Sequence, residues 1–281
     1  MADSRSEEEG EDVSLRMAGQ RLAERLRGLL DEEDGSDRRL VVLHYHGSFC
    51  PVGLHHMTVL ERVREAVSEE ERVLAAVLTV THDNSMRKKL RPGERVAATH
   101  REAMLRLAFP ANDVIVDATL SSQPRNRGAA WYQSFLRDVV GGVRPGEVDV
   151  VGVCGADAVP KMRNALKSGH RWVCVVNRDL PSGTDRAAVE ALLGSPPPTL
   201  RVVRLPPSHL SSTLIRGDID RHRDALPPGV YEYHRTHGIV YQPRYEAPEV
   251  VASEKKSIPF ALAGDLLGRG RQAAVWRATA R

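Results

Sequence analysis

The chain has 281 residues, of which 41% are hydrophobic and 27% charged, and this is enough apolar surface to bury one core of ordinary size with extensions. Its formal net charge of +3 is nearly balanced and does not favour a nucleic-acid-binding surface, so we expect no nucleic acid among its partners. The three cysteines form no CxxC pair, which argues against a disulfide framework or a zinc site and favours an intracellular protein, cytoplasmic or nuclear.

The N-terminal residues 1–12 are small and acidic, and we expect them to be disordered. They lack the basic and then apolar pattern of a secretion signal. No segment of the sequence approaches the roughly 20 apolar residues that cross a bilayer, so no membrane is expected as a partner. From Val13 to Glu33 leucines recur at near-helical spacing, which predicts an amphipathic helix. We therefore interpret residues 1–39 as an N-terminal extension with one helix.

From Leu40 to Tyr241 strand-like and helix-like segments alternate, which predicts one α/β domain with a doubly wound parallel sheet. Strands are predicted over residues 40–43, 74–80, 113–117, 148–154, 172–176 and 200–203. Helices are predicted over residues 54–68, 93–109, 128–139, 156–167, 184–193 and 212–220. Ligands of such sheets bind at the carboxyl ends of the strands, where the strand order reverses. The residues that follow the first and fourth strands are therefore the first candidates for a site.

The first candidate segment follows the first strand and reads GSFCPVGLHH, from Gly47 to His56. A glycine at 47 would let the backbone approach a ligand, and His56 would lie in the first turn of the helix that follows. Backbone N–H groups and a positive helix end would then surround a polyphosphate, with Ser48 and Phe49 in the same turn. The alternative is a histidine that only decorates an ordinary helix start.

The second candidate segment reads SSTLIR and opens a predicted helix about 155 residues later. Ser211, Ser212 and Thr213 are good N-cap residues and would leave N–H groups at a positive helix end. Arg216 lies one turn further and could bind the same anion with two N–H groups. The alternative is a helix cap that binds no ligand.

Together the two segments resemble the GxFxPxHxGH and SSTxIR signatures of the adenylyltransferases that make NAD from nicotinamide or nicotinate mononucleotide. The resemblance implies a Rossmann-like nucleotidyltransferase domain that binds ATP and a pyridine mononucleotide. It implies that His56, Arg216 and Lys88 act in catalysis, and that Mg²⁺ arrives on ATP without a carboxylate cluster of the protein. The chain departs from the pattern at Gly53, where bacterial relatives have His and eukaryotic ones Thr, and at His55, where the family has Gly or Met.

Further positions match the same family. Cys154-Gly155-Ala156-Asp157 resembles its CGAD segment, in which Gly155 would permit close approach of the adenosine and Asp157 would accept from ribose hydroxyls or cap the next helix. Lys88 and Lys89 align with a basic loop that contacts phosphate, although such runs are also solvated surface. Arg178 follows the fifth predicted strand and is expected near the nucleotide.

The acceptor pocket is less clearly marked. Asp117 and Trp131 are the candidate substrate-binding residues, and Trp131 could instead pack its own helix. The eukaryotic relatives sandwich the pyridine ring between two tryptophans. This chain has none directly after Asp117, and the segment that would carry the second is shortened to residues 165–168. Trp172 opens an apolar strand and is expected in the core.

Residues 242–281 read as a linker followed by either a fragment of a kinase-like glycine-rich hairpin or an accidental Gly/Arg-rich tail. Two other functions remain open for the main domain. One is a related nucleotidyltransferase with another phosphate acceptor, and the other is a non-catalytic nucleotide-binding module. A homo-oligomer is possible in each case.

Overall fold

A six-stranded parallel sheet organises the part of the chain that the structure describes. The structure, a computed structural model, describes residues 2–31, 38–124, 127–177 and 186–241, with side chains from residue 12 onward in the first range. In chain order the strands are β1 (Leu40–Gly47), β2 (Arg72–Val80), β3 (Val114–Val116), β4 (Val148–Gly155), β5 (Arg171–Val176) and β6 (Leu200–Arg204).

Helices connect the strands and cover both faces of the sheet. They are α1 (Ala2–Asp31), α2 (Leu54–Ser68), α3 (Asp83–Lys89), α4 (Ala98–Ala108), α5 (Ala129–Val143), α6 (Arg163–Lys167), α7 (Arg186–Gly194), α8 (Ser212–Gly217) and α9 (Pro228–Thr236). Short 3₁₀ segments lie at Pro92–Glu94, Ala156–Met162 and Arg223–Ala225. Among the described residues, none of these helices is long and apolar enough to cross a membrane.

The strand order is β3-β2-β1-β4-β5-β6, so the sheet grows outward in both directions from β1. Strand β1 pairs in parallel with β2 on one side and with β4 on the other. The predicted doubly wound parallel α/β sheet is confirmed. The strand order reverses between β1 and β4, and ligands of this fold bind at the carboxyl ends of the strands at such a point. The ends of these two strands are Gly47 and Gly155.

Each face of the sheet has its own core because side chains alternate along a strand. On one face Val41 and Leu43 of β1 pack with the buried face of α2. On the other face Leu40 and Val42 pack with helices α1 and α5. The residues that α1 and α5 contribute to this second core are Leu22, Leu26, Leu30, Tyr132, Leu136 and Val140. The two-layer covering explains why the strands are apolar almost throughout.

Several helices differ from the predictions, and three of the differences are instructive. Helix α1 begins at Ala2, so the expected disorder is wrong for residues 2–12. The leucines of α1 anchor its second half, and glutamate-rich sequence extends an anchored helix readily. The predicted helix over 156–167 begins as a 3₁₀ segment that contains Pro160, which has no N–H to donate. The predicted helix over 93–109 is interrupted between Glu94 and Ala98.

Trp172 lies in the core as expected, with 1% of its surface exposed. It pairs with Gly152 of the neighbouring strand, and a Cβ at that position would overlap the indole ring. We therefore expect Gly152→Ala to lower the free energy of unfolding by about 1–3 kcal/mol, the usual cost of overpacking. Urea denaturation would measure it.

The control is Gly141→Ala in α5, where an added Cβ meets no atom within 4 Å. This change should raise the free energy of unfolding by about 0.5–1 kcal/mol because alanine is the better helix former. Similar effects of the two substitutions would contradict the contact between Gly152 and Trp172.

Candidate active site

The loop that joins β1 to α2, residues 48–53, is held by side chains from distant parts of the chain. The Ser48 carbonyl accepts from Arg101 Nη1 at 2.9 Å, and the Cys50 carbonyl accepts from Arg216 Nη1 at 2.6 Å. The Pro51 carbonyl accepts from Ser212 Oγ at 2.8 Å. A buried carbonyl without a partner costs about 1–3 kcal/mol, so these donors define the conformation of the loop.

Arg101 is the central tie of this region and is fully buried. Besides Ser48, its guanidinium donates to the carbonyls of Val96 at 2.9 Å and Thr81 at 2.7 Å, and to Asp83 Oδ1 at 2.6 Å. It therefore joins the β1–α2 loop, the end of β2 and the start of α3. The sequence analysis did not single out Arg101. The available signal was an arginine on the apolar stripe of α4.

His56 has a defined orientation at the start of α2. Its Nδ1 accepts from the Gly53 N–H at 3.0 Å. A neutral His56 must therefore carry its proton on Nε2, an assignment that follows from the hydrogen bond. The Phe49 ring contacts the imidazole edge-on, with centroids 5.0 Å apart. The sequence predicted His56 in this turn, and the structure adds its tautomer.

Gly47 is required by a neighbour within the chain. A Cβ at this position would lie 2.9 Å from the ring of Phe49, which is 1% exposed and has a φ of 44°. The Phe49 ring by itself accounts for the glycine at position 47, and close approach of a ligand to this backbone stays a prediction. The Phe49 side chain belongs to the core, so a ligand would meet Phe49 through its backbone.

Gly53 and His55 both differ from the family signature, and the two differences are connected by a contact. A Cβ at Gly53 would lie 2.8 Å from His55 Nδ1 and 3.0 Å from Ile215 Cδ1. The His55 ring thus occupies the space that a side chain at position 53 would need. It also contacts the His56 ring in a tilted arrangement, with centroids 3.8 Å apart. The two exchanges in the signature are therefore sterically coupled.

Lys89, in the basic segment at the end of α3, contacts the β1–α2 loop. Its Nζ donates to Ser48 Oγ at 3.0 Å, whereas Lys88 lies exposed on the same short helix. The structure therefore brings Lys89 to the predicted phosphate site more directly than Lys88. The pKa of nearby His46 is lowered to about 4, chiefly by burial and also by Arg101 and Lys89, while the Thr79 backbone opposes the shift. Two cations therefore act on this edge of the sheet.

The hydroxyl groups of the SSTLIR segment all have partners in the protein. Ser211 caps α8 by accepting from the Leu214 N–H at 3.2 Å, and Ser212 binds the Pro51 carbonyl. Thr213 Oγ1 accepts from Arg216 Nη2 at 3.1 Å. Arg216 is 7% exposed, and its Nε lies 3.8 Å from Glu94 Oε1. The segment supports the β1–α2 loop, and its contact with an anion stays a prediction.

The other side of the site begins at the end of β4. Gly155 and Asp157 are exposed there, and a Cβ at Gly155 would lie 2.9 Å from Asp157 Oδ1. The carboxylate thus lies over a glycine at the point where the strand order reverses. This position suits the expected contact with a ribose. Arg178 lies outside the described residues.

The candidate acceptor residues lie on the α5 side of the sheet. Asp117 follows β3, and its Oδ1 accepts from the Thr119 N–H at 2.7 Å. Trp131 stacks on Phe135 with centroids 5.9 Å apart, and Arg127 lies 4.6 Å above its ring. These contacts describe helix packing by Trp131, so its role with a substrate stays a prediction.

Residues 44–218 match the family model of cytidylyltransferase-like proteins, which covers more than half of the chain. The chain therefore belongs to the cytidylyltransferase-like family of nucleotidyltransferases. Within it, the matched range begins in β1 and ends one residue after α8, so it includes both signature segments.

Two solved structures that resemble this chain are distant from it in sequence. One is a protein of Vibrio parahaemolyticus with the provisional name nicotinate-nucleotide adenylyltransferase, at 16% identity, a TM-score of 0.35 and coverage of 71% of this chain and 94% of that one. Another is a UDP-glucosyltransferase of Polygonum tinctorium, at 14% identity, a TM-score of 0.28 and coverage of 51% and 31%. At these TM-scores neither likeness carries an argument. No curated protein sequence matches the chain.

Removing the Arg101 guanidinium should destabilise the fold around the site. Arg101→Met leaves the carbonyls of Ser48, Thr81 and Val96 without their donors, and we expect a loss of about 3 kcal/mol or more in the free energy of unfolding. Thermal or urea denaturation would measure the loss. Arg106→Met is the matched control on the same helix, because Arg106 is 54% exposed and lies 3.9 Å from Glu102. It should cost less than about 0.5 kcal/mol, and equal effects would refute the role of Arg101.

Proposed function

We propose that this protein transfers the adenylyl group of ATP to nicotinamide or nicotinate mononucleotide, forming NAD or its deamido form and pyrophosphate. The observation that carries the proposal is the docking of the SSTLIR helix onto the β1–α2 loop. It joins the two segments that resemble the signature of that activity, through Ser212 and Arg216. The family match supports nucleotidyl transfer at this place in the fold.

The proposed reaction needs alignment and charge stabilisation rather than a covalent nucleophile. A phosphate oxygen of the mononucleotide attacks the α-phosphorus of ATP, and the bond from that phosphorus to the bridging oxygen of the β-phosphate breaks. The electron pair leaves with pyrophosphate. His56 Nε2–H would donate to the phosphates, and Lys89 would neutralise them, with Lys88 and Arg216 as further cations. ATP would bring Mg²⁺ as part of the substrate.

The nucleoside and acceptor contacts are proposed on each side of the point where the strand order reverses. Asp157 would accept from the ribose hydroxyls of ATP beside Gly155, and Arg178 would contact the same nucleotide. Asp117 and Trp131 would bind the mononucleotide on the α5 side. The chain's partners would then be these two nucleotides, and a homo-oligomer remains compatible with the proposal.

A second candidate is nucleotidyl transfer to another phosphate acceptor. It is favoured by the packing of Trp131, which stacks on Phe135 of its own helix rather than forming half of an aromatic sandwich. A non-catalytic nucleotide-binding module is the third possibility. Such a module would bind ATP without forming a product.

Product analysis with a matrix of substrates separates these functions. ATP and CTP would each be combined with Mg²⁺ and with nicotinamide mononucleotide, nicotinate mononucleotide, phosphopantetheine or glycerol 3-phosphate, and the products separated by chromatography. We expect a dinucleotide from ATP and a pyridine mononucleotide. Product with another acceptor would favour the second candidate. Binding of ATP with no product in any combination would leave the binding module.

His56→Asn tests the proposed donor. An asparagine side chain retains an acceptor for the Gly53 N–H but places no N–H where Nε2 lies. We expect kcat to fall about 100-fold or more, close to 3 kcal/mol, as for loss of a transition-state donor. His170→Asn is the control, because His170 lies just before β5, at the edge of the parallel sheet opposite the site, and its kcat should change little. Near-normal turnover of His56→Asn would show that the phosphate site is misplaced.

The coupling between positions 53 and 55 predicts a conditional result. Gly53→His alone should lower the melting temperature and the activity, because its side chain would collide with His55. The double variant Gly53→His/His55→Gly removes that collision and should recover much of both, apart from about 1 kcal/mol for a helical glycine. His55→Gly alone measures that cost. A Gly53→His variant as stable as the double variant would contradict the steric coupling.

A further inference from the structure

Four polar side chains form a continuous hydrogen-bonded chain across β1 and β2. His44 Nε2 lies 2.9 Å from Thr79 Oγ1, which in turn lies 3.1 Å from His46 Nδ1. His46 Nε2 lies 3.3 Å from Thr81 Oγ1, just beyond the end of β2. We call these residues the His–Thr relay. It begins in the core beneath α5 and ends at the carboxyl edge of the sheet.

The inner half of the relay is completely buried. His44 and Thr79 have no exposed surface, and the Tyr132 ring packs on His44 with centroids 4.7 Å apart. Burial, and secondarily His46, lowers the pKa of His44 well below its ordinary value. Both histidines are therefore neutral near pH 7, and each carries one ring proton.

Each threonine hydroxyl and each neutral imidazole of the relay has a single proton to donate. The hydrogen bonds of the relay must therefore all be donated in the same direction along the chain of side chains. If they point inward, Thr81 donates to His46, and the last proton lies on His44 Nδ1. If they point outward, His44 Nε2–H donates to Thr79, Thr79 to His46 Nδ1, and His46 Nε2–H to Thr81. His44 Nδ1 has no partner among the described residues. The inward direction would bury an unpaired N–H, which is rarer than an acceptor without a donor. The outward direction is therefore favoured.

In the outward direction the Thr81 oxygen accepts from His46 and keeps its own proton for another acceptor. The backbone of Thr81 is fixed at the β1–α2 loop, since its N–H donates to the Gly47 carbonyl at 2.8 Å and its carbonyl accepts from Arg101 at 2.7 Å. No partner for the Thr81 hydroxyl proton occurs among the described residues. Arg101 donates to the carbonyl of Thr81 itself, and Lys89 donates to Ser48 in the adjacent loop, so nearby cations favour an anionic acceptor.

We propose that Thr81 is a ligand-binding residue of this site and that its hydroxyl donates to a phosphate oxygen of the bound nucleotide. The His–Thr relay is a positioning device: it orients the Thr81 proton toward the site and keeps a neutral imidazole behind it. Neither Thr81 nor the two histidines belongs to the signature segments. The inference rests on the proposed function for the identity of the nucleotide, and on the relay geometry for the donor.

The direction of the relay is measurable in the whole protein without any ligand. Long-range ¹H–¹⁵N spectra distinguish the two neutral tautomers of each histidine. We expect Nε2–H for both His44 and His46. An Nδ1–H tautomer of His46 would mean that Thr81 donates inward, and would overturn the proposal.

Binding of MgATP and of tripolyphosphate by calorimetry tests the contact itself. Thr81→Val should weaken the binding of both about tenfold, and Thr81→Ser, which keeps the hydroxyl, should bind within about twofold of the wild type. Thr58→Val, on the exposed face of α2, is the control and should leave affinity unchanged. Unchanged affinity of Thr81→Val would overturn the proposal, as would a wild-type protein that binds neither probe.

Thr79→Val and Thr79→Ser separate positioning from folding. The valine interrupts the relay and should weaken MgATP severalfold and shift the His46 signals, whereas serine should restore both. If Thr79→Val does not fold, Thr81→Val alone decides. A protein that binds MgATP through Thr81 but yields no dinucleotide would refute the proposed function and leave this inference intact.

Discussion

The site depends on the backbone carbonyls of the loop between β1 and α2. Those of Ser48, Cys50 and Pro51 accept from Arg101, Arg216 and Ser212 respectively. A turn this tight cannot pair these groups within itself, and burying them unpaired would cost several kcal/mol in sum. Donors from α4 and α8 must therefore reach the loop, and this requirement brings segments far apart in sequence to one edge of the sheet.

The same requirement gives the recognised motifs a structural role. Ser211 caps its helix and Arg216 is buried against the loop, so structural and ligand-binding interpretations of the SSTLIR segment are compatible. Arg101 matters as much as either motif, although it belongs to neither. Arg101, Arg216 and Lys89 contact the loop before a ligand arrives, and cations at this place suit phosphate binding.

The chain also shows how a signature can change without losing its geometry. Gly53 and His55 are exchanged relative to the HxGH pattern, and the contact distances show that a side chain at one position excludes a ring near the other. The His–Thr relay is a similar local solution, because it lets the buried His44 and the half-buried His46 make most of their hydrogen bonds within the sheet. The family match establishes the nucleotidyltransferase class, and the acceptor is the part that sequence and contacts define least.

The sequence by itself determined the alternation of strands and helices and the parallel α/β sheet. It also marked His56 and the SSTLIR segment as candidates at one edge of that sheet, because periodicity and short motifs are local properties of a chain. Only the tertiary structure decided that Arg101 is the central tie, that Lys89 reaches Ser48, and that Phe49 fills the space beside Gly47. Those outcomes depend on which distant groups meet when the carbonyls of one loop are buried, and no local pattern encodes such a meeting.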